Sequence, residues 1–281
     1  MNISGAEGLV TSGNIFMGMT ESPVLIKNYL PAMNKSEIFL VMVSGMGTIA
    51  GTVMATYIGM LSGGDLVARV LFAKHLISAS LMAAPGSIVL AKMLCPQTEE
   101  ATDHVAISGK EKENSNILDA ISSGTVTGVK LMTNIAAMLL VFISLVALAN
   151  YITEGVIGRY TGLNDWIVKI TDGKAQGLTF QFILGVITSP FMWLIGVPSQ
   201  DIMLVGSLLG QKTILNEFVA YFQLQQWKDA GLFMYEKSIL MSTYILCGFA
   251  NISSIGILLG GLGVLAPEKR GLISRIGLPA M

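Results

Sequence analysis

Residues 14–30 read NIFMGMTESPVLIKNYL, and the polar run GMTESP within them interrupts an apolar, glycine-containing segment. Similar interruptions occur downstream, NEFVAY at residues 216–221 and CGFANISSIG at residues 247–256. Together, the three segments bring carboxyl, amide and hydroxyl groups into hydrophobic surroundings. Such groups are costly at membrane depth unless they meet a partner, water or a ligand. The pattern therefore indicates polar sites inside a membrane protein.

Long charge-free stretches support the membrane assignment. They are Ile38–Gly64, Leu131–Thr153, Ala175–Gln200 and Ser238–Pro267. Each is long enough to cross a bilayer, since a spanning helix needs about 20 largely apolar residues. Hydrophobic residues make up 52% of the chain and charged residues only 12%, and the mean hydropathy is +0.66. A soluble globular protein rarely has this composition.

Charge and cysteine content limit the remaining classes. The formal net charge is −1, which gives no reason to expect a nucleic-acid partner. Cys95 and Cys247 are too few for a disulfide framework or a metal cluster, and both are interpreted as packing residues.

The predicted fold is all-α: a multi-span helical bundle with two re-entrant helical hairpins and discontinuous helices, forming one membrane transport domain over residues 1–281. Its predicted parts are a first hairpin at 1–33, helices at 36–94, a polar connection with an interfacial helix at 95–130, a span at 131–153, a span with a second hairpin at 175–223, and a discontinuous helix at 238–267. One unbroken helix is predicted over Ile38–Leu61, and Pro85 is predicted to divide the apolar segment Leu66–Leu94. Interrupted helices near both ends of a chain are typical of a transporter's midplane binding site.

Five segments carry a resemblance to a known family. They are NIFMGMTESPVLIKNYL (14–30), GMGTIAGTVMATY (45–57), KHLISASLMAAP (74–85), GSLLGQKTILNEFVAY (206–221) and CGFANISSIG (247–256). In content, order and spacing they resemble the concentrative nucleoside transporter family, the cation-coupled nucleoside symporters. The resemblance spans almost the whole chain. It also implies that the chain is incomplete, because family members have further helices before the first hairpin and after the APEKRGLISRIGL segment.

The resemblance implies a function. The expected protein is a secondary active transporter that imports nucleosides by alternating access, coupled to Na⁺ in preference to H⁺, with no further cofactor. It is expected to be a multi-pass protein of the bacterial inner membrane, surrounded by lipid and, where the scaffold helices are present, a homotrimer. Two other classes remain open from the residues alone: a non-transporting fragment or assembly partner, and an intramembrane enzyme. The enzyme is disfavoured because HExxH, GxSxG and paired His or Cys ligands are absent from the sequence.

The same resemblance implies a nucleoside site. Glu217, Asn251 and Ser254 are expected to bind ribose hydroxyls, while Thr20 and Glu21 are expected to meet the nucleobase. The remaining expected contacts are Gly18, Met19, Val53, Phe180 and Phe249. From the residues alone, the alternative is that the two glutamates cap hairpin tips and satisfy backbone N–H groups, and an isolated phenylalanine is more often a core residue.

Position 19 departs from the family pattern. Many family members have Gln there, and its amide can read the edge of a base, whereas this chain has Met19. A thioether is apolar and adaptable and offers no comparable hydrogen bond. A shifted or relaxed base preference is therefore predicted.

A cation site is implied by the same comparison with the family. Asn14 and Thr48 would supply side-chain oxygens, and Met17 and Ile49 backbone carbonyls, which suits Na⁺ as a hard cation. The alternative is that Asn14 caps a half-helix and Thr48 bonds back to its own helix.

Three further polar residues are interpreted as structural. His75 has no second ligand with which to hold a metal. Asp201 and Lys212 are considered as a buried or interfacial pair across the second hairpin.

Overall fold

The computed structural model describes residues 3–102, 116–171, 173 and 175–281. Regular structure in this part of the chain is helical throughout. The α-helices are α1 (Gly5–Gly13), α2 (Lys35–Gly47), α3 (Gly51–Ser62), α4 (Leu66–Leu94), α5 (Ile117–Asn150), α6 (Arg159–Thr161), α7 (Leu163–Ile170), α8 (Phe180–Ile195), α9 (Ile202–Ile214), α10 (Glu217–Asp229), α11 (Glu236–Leu246), α12 (Ile252–Leu265) and α13 (Arg270–Ala280). Short 3₁₀ helices cover Ser22–Ile26 and Pro267–Lys269, and a π-helix covers Tyr151–Gly158.

The predicted polar connection falls largely outside the described residues. The backbone of α5 joins part of the predicted interfacial helix to the predicted span at 131–153, so these two parts form one continuous helix.

The described residues divide into two compact units. The first contains the residues up to 102 together with 184–281, and the second contains residues 116–183. Within the second unit, Asn164 acts as a connector: its Oδ1 accepts from the Leu178 N–H at 3.0 Å and its Nδ2 donates to the Glu154 carbonyl at 3.0 Å. The expected polar site residues all belong to the first unit.

The first hairpin has one helical arm and one irregular arm. Helix α1 begins with a capping box, in which Ser4 Oγ accepts from the Glu7 N–H and the Glu7 carboxyl group accepts from the Ser4 N–H. The chain then turns back through residues 14–21, and Pro23 lies at the start of the 3₁₀ helix that returns along α1. Ser22 Oγ donates to the Val10 carbonyl at 2.8 Å and so holds the two arms together.

The prediction of one unbroken helix over Ile38–Leu61 is wrong. Helix α2 ends at Gly47, Thr48 is extended with φ −115° and ψ 169°, and α3 begins at Gly51. The sequence has no proline at this break. Instead, the Gly51 N–H donates to the Phe16 carbonyl at the tip of the first hairpin, at 3.0 Å. A group from another part of the chain thus satisfies a backbone donor that an unbroken helix would satisfy internally.

The prediction that Pro85 divides the segment Leu66–Leu94 is also wrong. Helix α4 runs through Pro85, and α8 runs through both Gly185 and Pro190. Proline inside a membrane helix is tolerated where neighbouring groups satisfy the backbone carbonyl that it leaves free.

The second hairpin consists of α9 and α10, joined through Leu215 and Asn216. Asn216 caps α10, because its Oδ1 accepts from the Val219 N–H at 2.9 Å. Helices α11 and α12 then form a second discontinuous helix, interrupted at Cys247–Asn251.

Two hydrophobic clusters form the core of the first unit. One packs the first hairpin and α2 against α12 and α13, and the other packs α3 and α4 against α9, α10 and α11. Phe249, in the break between α11 and α12, packs against both clusters. The break therefore lies at the boundary between them.

Two stretches of the described chain are long and apolar enough to cross a membrane, Lys35–Ser62 and Leu66–Leu94. The former contains the break between α2 and α3. Three shorter apolar helices are Phe180–Ile195, Ile202–Ile214 and Ile252–Leu265.

Candidate functional site

The two helix breaks lie against each other at Gly248. This residue has φ +106°, and a Cβ at its position would lie 2.7 Å from the Gly47 carbonyl oxygen and 2.9 Å from that of Met46. Only glycine combines this backbone conformation with so close an approach. The end of α2 and the end of α11 are thereby brought together, and both present the carbonyls of a helix C-terminus, which attract cations.

Lys212 meets the carbonyls at the end of α11. Its Nζ donates to the Ile245 carbonyl at 2.9 Å and to the Cys247 carbonyl at 3.4 Å. Asp201, by contrast, accepts from the backbone N–H groups of Met234 and Tyr235, at 3.0 and 3.1 Å. These contacts replace the predicted pair, since Asp201 and Lys212 lie at opposite ends of α9, roughly 16 Å apart along its axis.

Glu217 lies next to these breaks with both carboxyl oxygens engaged. Its Oε2 accepts from Asn251 Nδ2 at 2.7 Å and its Oε1 accepts from the Tyr57 hydroxyl at 3.3 Å. The side chain that caps α10 is its neighbour Asn216, and Glu217 itself is only 7% exposed. The Glu217 carboxyl group therefore faces polar partners from α3 and from the second break.

Asn251 is held by the helix that follows it. Its Oδ1 caps α12 by accepting from the Ser254 N–H at 2.8 Å, and it also accepts from the hydroxyls of Ser254 and Ser253, at 3.0 and 2.6 Å. With the oxygen fixed in this way, the amide nitrogen is directed to Glu217. The sequence ANISS therefore combines a helix cap with a donor to the carboxyl group.

The tip of the first hairpin approaches α2 and α12. Met19 is buried in the first core cluster, and a Cβ on Gly45 would lie 3.0 Å from the Cβ of Met19. Thr20 lies against Gly261 of α12. Glu21 is exposed, makes no side-chain capping bond within the described part of the chain, and folds its carboxyl group over Gly18.

The expected cation ligands meet between the tip and the first break. Asn14 Nδ2 donates to Ser44 Oγ at 3.0 Å, while Asn14 Oδ1 is buried and, among the described residues, accepts no hydrogen bond. Thr48 Oγ1 donates to the Ser44 carbonyl at 3.0 Å, which is the bond to its own helix that the alternative interpretation anticipated. That bond uses the Thr48 hydrogen and leaves the oxygen's lone pairs as acceptors. Ile49 is fully buried in the break.

The apolar candidates are divided between the units. Val53 lies one turn before Tyr57 on α3 and packs against the second core cluster, as Phe249 does. Phe180 begins α8 and belongs to the second unit, where its N–H donates to Asn150 Oδ1 at 2.7 Å. Its contact with a base stays a prediction.

Three residues of the candidate site could not be predicted from sequence patterns: Ser44, Tyr57 and, as a donor to the carbonyls at a helix end, Lys212. Only the spacing of one turn between Ser44 and Thr48 could have indicated a shared role. Tyr57 is separated from Glu217 by 160 positions, so no local pattern connects them.

This arrangement is that of a helical membrane transporter, in which broken helices and hairpin tips collect polar groups within an apolar core. A sequence model of the family described as "Na+ dependent nucleoside transporter C-terminus" matches residues 75–281. The chain belongs to the concentrative nucleoside transporter family. The chain accordingly has the helical fold of the membrane transporters in this family, and the predicted fold class is confirmed.

Relatives extend over the whole chain. It is similar to nucleoside permease NupC of Helicobacter pylori, with 38% identity over 283 residues that cover 100% of this chain and 62% of the relative. It is similar to sodium/nucleoside cotransporter 2 of Rattus norvegicus, with 37% identity over 295 residues, covering 100% of this chain and 41% of the relative. The chain thus spans less than two thirds of the length of these relatives.

A solved structure shows the same architecture. The chain is similar to CNTnw in an inward-facing substrate-bound state, with a TM-score of 0.83 and 38% identity, over 99% of this chain and 60% of that one.

Proposed function

We propose that the chain forms the substrate- and cation-binding core of a symporter that imports nucleosides together with Na⁺. The observation that carries this proposal is the buried Glu217 carboxyl group, held at one oxygen by Asn251 and at the other by Tyr57 beside two helix breaks. A buried carboxyl group in a membrane protein marks a functional site by default. The names of the relatives, a nucleoside permease and a sodium/nucleoside cotransporter, support the choice of cargo.

Ribose is the part of the substrate that this carboxyl group suits. A carboxylate only accepts hydrogen bonds and has about four acceptor positions, of which Asn251 and Tyr57 use one each. A ribose ring offers two adjacent hydroxyl donors to the positions that remain. Asn251 and Ser254 are proposed to complete the contacts to the sugar.

The nucleobase is proposed to lie toward the tip of the first hairpin. Thr20 and Glu21 would contact it there, with Gly18 allowing the Glu21 carboxyl group to fold close to the backbone. The proposed apolar contacts are Met19, Val53 and Phe249. Because Met19 replaces an amide side chain, base preference should shift toward less discrimination, and Met19→Gln should change the order of uridine, cytidine, adenosine and inosine in a binding assay.

Sodium is the proposed coupling ion. Asn14 Oδ1 is a buried acceptor without a hydrogen-bond donor among the described residues, and Thr48 Oγ1 keeps its lone pairs. Carbonyls of Met17 and Ile49 would complete an oxygen shell of the kind that hard cations prefer. Protons would not require such a shell, which favours Na⁺ over H⁺.

Transport is proposed to proceed by alternating access. The cation orders the first hairpin, and the ordered hairpin completes the nucleoside site, so the two bind cooperatively. The proposed setting is the bilayer of a bacterial inner membrane, and a homotrimer is the proposed assembly.

Binding of tritiated uridine to the chain in lipid nanodiscs, at saturating NaCl, tests this proposal. Glu217→Gln should weaken binding at least about ten-fold, because a charge-assisted hydrogen bond to a hydroxyl contributes roughly 1.5–3 kcal/mol. The matched control is Glu268→Gln, which changes an exposed glutamate in the short helix Pro267–Lys269 and should bind like the wild type. Equal affinity in all three proteins would contradict the assigned role of Glu217.

A further inference from the structure

We propose that Tyr57 is a positioning residue that fixes the carboxyl group of Glu217 and thereby sets the protein's preference for ribose over deoxyribose. This inference rests on the proposed function. It adds to the expected site a side chain from α3, which touches the carboxyl group and not the substrate.

The contact itself is buried and joins distant parts of the chain. Tyr57 is 1% exposed, and its hydroxyl lies 3.3 Å from Glu217 Oε1. On the other side of the carboxyl group, Asn251 Nδ2 lies 2.7 Å from Oε2. The Asn251 bond is the shorter of the two. The backbone N–H of Glu217 also donates to the carboxyl group, and of the two side-chain donors Tyr57 is the one that holds Oε1.

The Tyr57 ring is itself immobilised. It stacks on Tyr221, with ring centroids 4.2 Å apart and an angle of 25° between the ring planes. The Phe218 ring lies 6.3 Å away, tilted by 51°. The Tyr221 hydroxyl donates to the Thr243 carbonyl at 2.9 Å, which fixes the second ring of the stack to α11. A ring held in this way presents its hydroxyl at a defined position.

The position of Oε1 matters because the two carboxyl oxygens of Glu217 can each accept a hydrogen bond from a different ribose hydroxyl. With one donor fixed at each oxygen, the remaining lone pairs of Oε1 and Oε2 point away from Asn251 and Tyr57 and can accept from two neighbouring hydroxyls at once. A sugar that lacks one of these hydroxyls leaves one oxygen without its donor. Without the Tyr57 hydroxyl, the contact of Oε1 with its sugar hydroxyl weakens while the contact of Oε2, which Asn251 holds, stays, and discrimination falls.

The test measures equilibrium binding of uridine, 2′-deoxyuridine and 3′-deoxyuridine to the full chain in lipid nanodiscs. The variant is Tyr57→Phe, which keeps the ring and its stacking but removes the hydroxyl. The matched control is Tyr221→Phe, which removes the hydroxyl of the other ring in the same stack and leaves the Tyr57 contact with Glu217 unchanged. Thermal unfolding of each protein is followed in parallel.

The expected result is selective. Tyr57→Phe should bind uridine about ten-fold more weakly, as expected for one hydrogen bond to a charged group. It should bind one of the two deoxy analogues with less than about a three-fold loss, since that analogue no longer uses Oε1. The melting temperature should stay within about 5 °C of the wild type, and Tyr221→Phe should keep the wild-type ratios among the three ligands.

An equal loss for all three ligands would overturn the inference, as would a larger fall in melting temperature or the same selectivity in Tyr221→Phe, because each would indicate a structural role. The failure of the wild-type chain to bind uridine at all is a different outcome. It would contradict the proposed function before either variant is compared.

Discussion

The two polar atoms of the Asn14 side chain have different roles. The Nδ2 group donates to Ser44, which orients the side chain, and this leaves Oδ1 buried and available for a ligand. A buried acceptor without a donor is costly in a folded protein. Asn14 is the C-cap residue of α1 through its backbone N–H, as the alternative interpretation anticipated, and the cost at Oδ1 would be removed if a cation bound there.

Substitution of the two proposed side-chain ligands should raise the Na⁺ concentration needed for uridine binding. Asn14→Ala and Thr48→Val each remove one oxygen, and about a ten-fold rise in the half-saturating Na⁺ concentration is expected for each. The measurement is uridine binding titrated with NaCl at constant ionic strength.

Thr56→Val is the matched control for Thr48→Val. Thr56 is exposed on α3 and donates to the Thr52 carbonyl one turn earlier, just as Thr48 donates to the Ser44 carbonyl. The control should leave the Na⁺ requirement unchanged. If it raised the requirement as much as Thr48→Val does, the effect would come from the helix and not from an ion.

At the scale of elements, the candidate site is formed where helices end. The two breaks, after Gly47 and after Leu246, are held together at Gly248, and Lys212 binds the carbonyls at the end of α11. Helix ends carry partial charges that a continuous helix would hide. Bringing two breaks together therefore creates a polar region from backbone groups, to which Lys212 binds.

Gly248→Ala should be strongly destabilising. Its Cβ would lie 2.7 and 2.9 Å from two backbone oxygens, and φ +106° is unfavourable for alanine, so a loss of at least about 2 kcal/mol is expected. Thermal unfolding in detergent measures the effect. Gly256→Ala is the control, because a Cβ there would meet nothing within 4 Å inside α12. A Gly248→Ala protein that melted with the control would show that the two breaks do not need this close contact.

Sequence patterns predicted where the polar segments lie, but they did not predict where each helix breaks. The segments around Glu21, Glu217 and Asn251 could be predicted because polar residues within long apolar stretches of a membrane protein usually belong to a functional site. The break at Thr48 could not be predicted, since no proline marks it and its stabilising partner, the Phe16 carbonyl, comes from another segment. At Pro85 the sequence predicted a break that the structure does not have. A proline does not end a membrane helix when neighbouring groups satisfy the backbone carbonyl that it leaves free.

The same limit applies to the site. The chemistry of Glu217 could be inferred from its residue type and motif, whereas its contact with Tyr57 depends on how α3 packs against α10. Contacts between residues far apart in sequence are set by packing, which a single sequence does not display.

At the scale of the molecule, a buried ion pair links the first hairpin to other helices of the first unit. Lys92, near the end of α4, forms a buried ion pair with Glu7 of the first hairpin at 2.6 Å and donates to Ser36 Oγ at 3.0 Å. The Glu7 carboxyl group also completes the capping box of α1. Removing one partner of a buried ion pair is strongly destabilising, because it leaves the other charge buried and uncompensated. The hairpin arm is thus fixed at one end to α2 and α4, while its tip carries the proposed binding groups.

The most direct test of the central claim is accumulation of radiolabelled uridine in vesicles containing the chain. Wild type, Glu217→Gln and Glu268→Gln are compared under an inward Na⁺ gradient, an inward H⁺ gradient and no gradient. Accumulation above the external concentration is predicted under the Na⁺ gradient only, in wild type and Glu268→Gln, with loss of accumulation in Glu217→Gln. Absence of accumulation by correctly inserted wild-type protein, accumulation driven by H⁺ alone, or accumulation that Glu217→Gln retains would contradict the account.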